Sequence, residues 1–292
     1  MVKLNDQKIE KQDIEEYLAQ YSDFSFEIKV LQKLNELGFE CEHSGTYEDP
    51  ITKKTREFDI RAIQIKNLTD KIQFRFCMAV ECKNLREKFP LVVHCLQRSH
   101  VEAYQQLIWS PYPPQWIYTN LKYGGRIRLD DNSVYREGDY VGKSCDQVGR
   151  NPNKKIVNSD SEVFEKTSQS INSAFGIIKD CHYAGEKEKT TVVSFVLPVL
   201  VVPNDRIWSI SYDTSGNIVY GPKLTPCISY YIGKSWKVGG GQKRIERFFL
   251  SHMEIVQLDS IKNLLTTHYN EDRFSVDKIN EYVKREREKP AY

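Results

Sequence analysis

Residues Arg56 to Ile65, REFDIRAIQI, and Gln73 to Lys83, QFRFCMAVECK, are two extended runs separated by a polar turn around Asn67 to Lys71, and their pairing decides the fold. If the hairpin turns near Asp70, Asp59 lies directly opposite Glu81, because their numbers are symmetric about that point. The period-two alternation of a strand then sorts every neighbour. Phe58, Ile60 and Ala62 share an apolar face with Phe76, Met78, Val80 and Cys82, whereas Asp59, Glu81 and Lys83 share the other face. Two carboxylates brought together in this way repel each other and weaken a purely structural hairpin. A divalent cation between them reverses the sign of the interaction.

Working outward, Ile14, Tyr17, Leu18, Tyr21, Phe24, Ile28, Leu31 and Leu34 recur at helical spacing and predict one helix from about Asp13 to Gly38, with the glycine as C-cap. Glu27 falls on that apolar stripe, where an unpartnered carboxylate is costly, so it calls for a partner. Phe39 to His43 reads as a short strand, and Ser44 to Lys54 as a loop. Beyond Asn84 the pattern is irregular to about residue 158, with prolines at 90, 111, 113 and 114. This stretch reads as an insertion carrying short strands, of which Trp116 to Thr119 is the clearest. Ser159 and Glu162 form a capping-box signature for a second helix running to about Lys179. Thr191 to Val202, TVVSFVLPVLVV, is nearly all apolar, as a buried central strand must be. Strands are expected at Ile207 to Tyr212 and His252 to Gln257, and helices after Ser260 and Ser275. There is no internal repeat.

The 292 residues carry 42 basic and 40 acidic side chains, a formal charge of +2, so no global field draws this chain to a polyanion and any basic groove must be local. Its seven cysteines include no CxxC pair, which signals neither a zinc site nor a disulfide framework and fits free thiols in a reducing compartment. The charged start, MVKLNDQKIEKQDIEEY, is unlike a signal peptide, and the longest apolar run is broken by Ser194 and Pro198. A soluble cytoplasmic protein with no membrane partner is expected.

The chemistry follows from residue types. Mg²⁺ is a hard cation that takes one or two carboxylates, waters and substrate phosphate oxygens, so Asp59, Glu81 and the backbone carbonyl of Cys82 form an inner shell. Mn²⁺ is expected to substitute. Lys83, two residues beyond Glu81 on the same face, is placed to orient or deprotonate an attacking water and to stabilise charge on the phosphorane. Glu27 either ligates a second metal or orients a water held by the first. Glu-x-Lys occurs twice in the chain, at Glu27 to Lys29 and Glu81 to Lys83, and only the second has this setting.

The order helix with Glu27, strand, strand with Asp59, strand with Glu81-Cys82-Lys83, helix and apolar strand resembles the αβββαβ core of the PD-(D/E)xK, or restriction-endonuclease-like, nucleases. The likeness covers residues of about 12 to 83 and 159 to 203, and Phe58 stands where the motif's name has proline. It implies an α/β fold with a central mixed sheet flanked by helices. A catalytic core would span residues 1–204, interrupted by an insertion at about 84–158, and residues 205–292 would be a C-terminal extension packed on it. It also implies a Mg²⁺-dependent endonuclease acting on DNA, duplex favoured, with Asp59, Glu81 and Lys83 matching the motif and Glu27 the helix acid of many members.

Nucleic-acid contacts are expected from Lys143, Gln147 and Arg150 in the insertion, from Gln169 on the second helix, and from Lys234, Lys237, Lys243 and Arg244. The last four lie in the run GKSWKVGGGQKRIER, read as a loop able to close over a phosphate backbone. His43 and His94 read as structural, and Cys82 as core. The chain has no Walker A motif and no S-adenosylmethionine-binding glycine pattern, so sensing, modification or translocation falls to a partner subunit. A homodimer is also open. The leading role is restriction or anti-phage defence. The alternatives are an RNA-directed nuclease of the same fold and a non-catalytic module that grips nucleic acid or a protein partner.

Overall fold

The computed structural model describes residues 6–20, 22–86, 88–113, 115–117, 120–122, 125–129, 133–159, 161–238, 246–268 and 273–288. In chain order the elements begin with α1 (Lys11–Gln20), α2 (Phe24–Glu36), β1 (Glu40–His43), β2 (Thr46–Glu48), β3 (Thr55–Glu57), β4 (Ile60–Thr69) and β5 (Ile72–Cys82). The middle of the chain gives β6 (Leu91–Gln97), β7 (Gln105–Ser110), β8 (Gln115–Ile117), β9 (Asn120–Lys122), β10 (Gly125–Leu129), β11 (Tyr140–Arg150) and β12 (Ile156–Ser159). Then come α3 (Ser161–His182), α4 (Ala184–Glu188), β13 (Thr191–Val202), β14 (Ile207–Tyr212), β15 (Ile218–Leu224), β16 (Cys227–Val238), β17 (Glu246–Gln257), α5 (Ile261–His268) and α6 (Val276–Glu288).

The protein is α/β, with one large mixed sheet flanked by helices. Its path runs β1-β4-β5-β13-β17-β16-β11-β6-β14-β15, with β7, β10 and β12 attached beside it. The hairpin is in the expected register: Ile60 faces Val80, Ala62 faces Met78 and Asn67 faces Gln73, which is symmetric about residue 70. One face of β5, with Phe74, Phe76, Met78, Val80 and Cys82, packs with Phe26, Val30 and Leu34 of α2 and with α5 and α6. Cys77 and Ala79, on the other face, pack with Val163, Ala174, Ile178 and Cys181 of α3. Both faces of β13 are buried as well, and it lies between parallel partners β5 and β17. Proline is normally excluded from such a strand. Pro198 is tolerated because on that edge β13 pairs with β7 over Val192–Ser194 and with β17 over Val199–Val202, so the proline falls where the partner changes.

The long first helix is not continuous. It breaks at Ser22 and Asp23, and Ile14, Tyr17, Leu18 and Phe24 of the expected stripe are about half exposed, whereas Phe26, Val30 and Leu34 are buried. Spacing alone could not choose between two interleaved apolar sets. Gly38 does end α2, with φ of +83°, a conformation that favours glycine. The insertion is regular rather than loose: β6, β7, β10, β11 and β12 all join the main sheet, and β8 pairs with β9 in a separate two-stranded sheet. Residues 118 and 119 of the expected Trp116 to Thr119 strand lie outside the described residues. The C-terminal extension also enters the sheet, with β17 beside β13, and β15 and β16 were not foreseen. Among the described residues no helix is long and apolar enough to cross a membrane.

Candidate active site

Asp59 lies one residue before β4, its carbonyl accepting the Ser44 N–H at 2.9 Å. The hairpin register puts it opposite Glu81. Asp59 Oδ2 accepts the Cys82 N–H at 2.7 Å, which fixes the carboxylate against the end of β5. Glu81 is 1 % exposed, and its Oε1 has no hydrogen-bond partner. Burial, reinforced by the Asp59 charge, pushes the Glu81 carboxyl well above the ordinary glutamate range.

The ammonium between the two acids is that of Lys166, not Lys83. Lys166 Nζ is 2.9 and 2.7 Å from the Asp59 oxygens and 3.3 Å from Glu81 Oε2. Burial alone would lower its pKa, but Glu81 and Asp59 outweigh that and raise it. Lys83 Nζ instead pairs with Asp23 at 3.3 Å. The reason is local: β5 ends at Cys82, so the alternation that would keep Lys83 on the Glu81 face stops one residue short. Asp23 precedes α2 without capping it through its side chain; that carboxylate takes the Asn84 N–H at 2.8 Å and the Lys83 ammonium.

Lys166 was missed, yet the sequence carried a signal. Val163, Lys166, Ser170, Ser173, Ile177 and Cys181 follow one another at helical spacing on α3, and a lysine on such an inward stripe needs a carboxylate. The serines fasten the helix to the sheet. Ser170 Oγ donates to the Ala79 carbonyl at 2.8 Å, and Ser173 accepts from Arg61, which crosses α3 at Gly176. A side chain at Gly176 would meet the Arg61 guanidinium at 2.7 Å.

Glu27 turns towards the acid pair rather than into bulk solvent. Its side chain is 13 % exposed, its Oε2 lies 3.3 Å from His43 Nε2, and burial followed by the Asp59 charge raises its carboxyl. Cys82 is fully buried, and that burial, reinforced by the charges of Asp59, Glu27 and Glu81, pushes its thiol well up. Tyr47 closes the α3 side, donating to the Gln169 carbonyl at 3.4 Å, and is pushed up to about 12 by burial and Glu81. Gln169 itself is half-buried beside it.

The expected nucleic-acid contacts are scattered and largely engaged with the protein. The Lys143 ammonium pairs with Glu102 and lies over the Tyr231 ring, Gln147 donates to the Phe89 carbonyl, and Arg150 to that of Lys154. The run expected to be a loop is strand through Val238: Lys234 donates to Asn172, Lys237 is exposed, and Trp236 is buried against Phe175 of α3. The tryptophan is therefore core. Lys243 and Arg244 lie outside the described residues.

Among the described residues no group of three His, Cys, Asp or Glu side chains is arranged to hold a metal ion. The donors that do converge, Asp59 and Glu81, are hard oxygens, and the stranded Glu81 Oε1 is a buried acceptor still lacking a partner. That donor chemistry fits an oxygen-seeking divalent cation such as Mg²⁺, completed by water and substrate. Comparison with protein-family models, with curated proteins and with solved structures gave no match for this chain.

Proposed function

We propose that the chain is a Mg²⁺-dependent nuclease of PD-(D/E)xK type that hydrolyses DNA phosphodiesters, in restriction or anti-phage defence. The observation that carries this reading is the opposed acid pair, one member fully buried with an unpartnered oxygen. No packing need explains such a pair. Asp59, Glu81 and the Cys82 carbonyl would hold the cation, which supplies Lewis-acid polarisation of the phosphate and a more acidic water. The remaining roles belong to the protein. Glu27, with His43 behind it, accepts a proton at its Oε atoms. Lys166 offsets part of the negative charge of the two acids and stabilises negative charge gathering on the phosphate oxygens. Lys83, held by Asp23 at the rim, orients the scissile phosphate. Hydrolysis needs no covalent nucleophile.

One observation favours a second reading. Lys166 lies against both acids, and among the described residues no group of three His, Cys, Asp or Glu side chains is arranged to hold a metal, which is also the arrangement of a non-catalytic binding module. Plasmid, linear duplex, single-stranded DNA and RNA, each incubated with Mg²⁺, Mn²⁺ or EDTA, separate these outcomes. The nuclease reading expects metal-dependent cleavage of DNA, duplex before single strand; retention of every substrate uncut favours the module, and cleavage of RNA alone moves the substrate class. Dependence on a sensing or translocating partner would show as cleavage only in cell extract, and a homodimer as paired cuts.

A further inference from the structure

A second constellation lies away from the acids, at the edge where β1, β4 and β5 meet the C-terminal half of α3. Cys77 Sγ and Cys181 Sγ are 3.9 Å apart, one on β5 and the other in the last turn of α3. Both side chains are buried, at 2 % and 4 % exposure. They nevertheless line a cavity of 380 Å³ whose wall includes Glu42, Arg61, Arg75 and Asp180. A structural thiol is normally packed against apolar atoms; here two thiols face each other and a chamber with two guanidinium groups.

We propose that Cys77 and Cys181 are a redox-reversible dithiol that hydrogen peroxide, entering through this cavity, converts to a disulfide. This stands apart from the nuclease reading. The two sulfurs need to close by less than 2 Å to reach the ~2.05 Å of a disulfide bond. Cys181 attacks first: the hydrogen bond it shares with Cys77, opposed by burial and helped by the Arg75 charge, holds its thiol below the ordinary value, while that hydrogen bond and burial hold Cys77 well above it. The Cys181 thiolate attacks one peroxide oxygen, the O–O bond breaks, and hydroxide leaves to give a sulfenic acid. Cys77 then attacks the Cys181 sulfur, its thiol proton and the sulfenic OH leaving as water. Two thiols lose two electrons, and one peroxide becomes two waters. The product clamps the end of α3 to β5, four residues before Glu81.

The test treats the native chain with hydrogen peroxide, unfolds it, alkylates the remaining thiols and maps the digest by mass spectrometry. The expected result is loss of two of the seven thiols, a cross-linked peptide pair joining Cys77 to Cys181, and recovery of both thiols with dithiothreitol. Cys77→Ser should leave Cys181 to over-oxidise to the sulfinic acid without a link. Cys41, Cys145 and Cys227 are less buried, so exposure-driven chemistry would modify them first. Oxidation of those three with Cys77 and Cys181 still alkylated, or survival of all seven thiols under peroxide excess, overturns the proposal. The wild-type digest alone decides the matter even if a serine variant fails to fold.

Discussion

Glu81 and Glu254 are equally buried, each 1 % exposed, on β5 and β17, and they are treated in opposite ways. Glu254 is surrounded by donors: Tyr135 at 3.2 Å, Ser229 at 2.9 Å, Cys227 at 3.5 Å and His268 at 3.2 Å. Behind it His252, stacked on Tyr135, accepts from Arg98 at 3.0 Å and is kept neutral, its pKa lowered to about 2 by burial and the Arg98 charge. The atoms left without partners there are the Nδ1 nitrogens of His252 and His268, less costly to strand than a carboxylate oxygen. Glu81, by contrast, has one ammonium at 3.3 Å, another carboxylate as its neighbour, and a free oxygen. A buried acid whose oxygens are all met holds a fold together. One that is left short keeps an unmet acceptor, the feature on which the proposed cation site rests.

The largest expected stability effect lies on the satisfied side. Glu254→Ala removes the acceptor shared by Tyr135, Ser229 and His268, and should cost about 3–5 kcal/mol in urea denaturation, the scale of breaking a buried hydrogen-bond network. A loss below about 1 kcal/mol would erase the contrast.

Glu81→Gln should act in the opposite direction. Because the Glu81 carboxyl is raised in the fold, the native chain binds more protons than the unfolded chain at pH values just above the ordinary glutamate range. Wild-type stability therefore falls as pH climbs through that window, until the raised value is passed. The glutamine, able to donate to Asp59, lacks this slope. Its Tm advantage should grow with pH across the window to roughly 2–4 °C for each kcal/mol recovered, and scanning calorimetry at several pH values reads it. A variant less stable than wild type at neutral pH would mean that Lys166 fully compensates the charge.

Lys166→Met sharpens the comparison from the cation's side. Removing the tethered positive charge leaves Asp59 and Glu81 uncompensated, so the variant should melt lower without metal and gain more from Mg²⁺ than wild type does, as binding to the native state alone requires. Equal Mg²⁺ shifts in both proteins would show that Lys166 and the cation do not share a place. The smallest effect is expected at the surface. Lys237→Glu should weaken duplex binding modestly and flatten its salt dependence by about one phosphate contact, whereas Lys143→Glu, which breaks the Glu102 pair, should lower Tm instead. Fluorescence anisotropy over a salt series distinguishes them.

How much of this was legible in the sequence depends on how local each signal is. The β4–β5 register was legible because turn symmetry and period-two alternation are properties of neighbouring residues, and β13 because twelve nearly unbroken apolar residues fit few other places. Asp59 and Glu81 followed from that register. Lys83 misled because its side depends on where β5 ends, and that end is set by Asp23 sixty residues away in sequence. Lys166 was hidden for the same reason: its partners lie 85 and 107 residues earlier, and only its place on the inward stripe of α3 marked it. The sheet strands within residues 84–158 were obscured by prolines and glycines, and Gly233, at φ of +55°, lies inside β16 rather than in a loop.

Asp59 and Glu81 are proposed to hold a divalent cation for phosphodiester hydrolysis. The most direct test is the initial rate of supercoiled-plasmid nicking as a function of Mg²⁺ concentration, for the wild type and for Asp59→Ala, whose side chain lies outside the apolar core. The wild type should show a saturable Mg²⁺ dependence, and the variant a loss on the order of 10³-fold that is partly recovered at high Mn²⁺. Undiminished, Mg²⁺-saturable nicking by a folded Asp59→Ala protein would contradict that role.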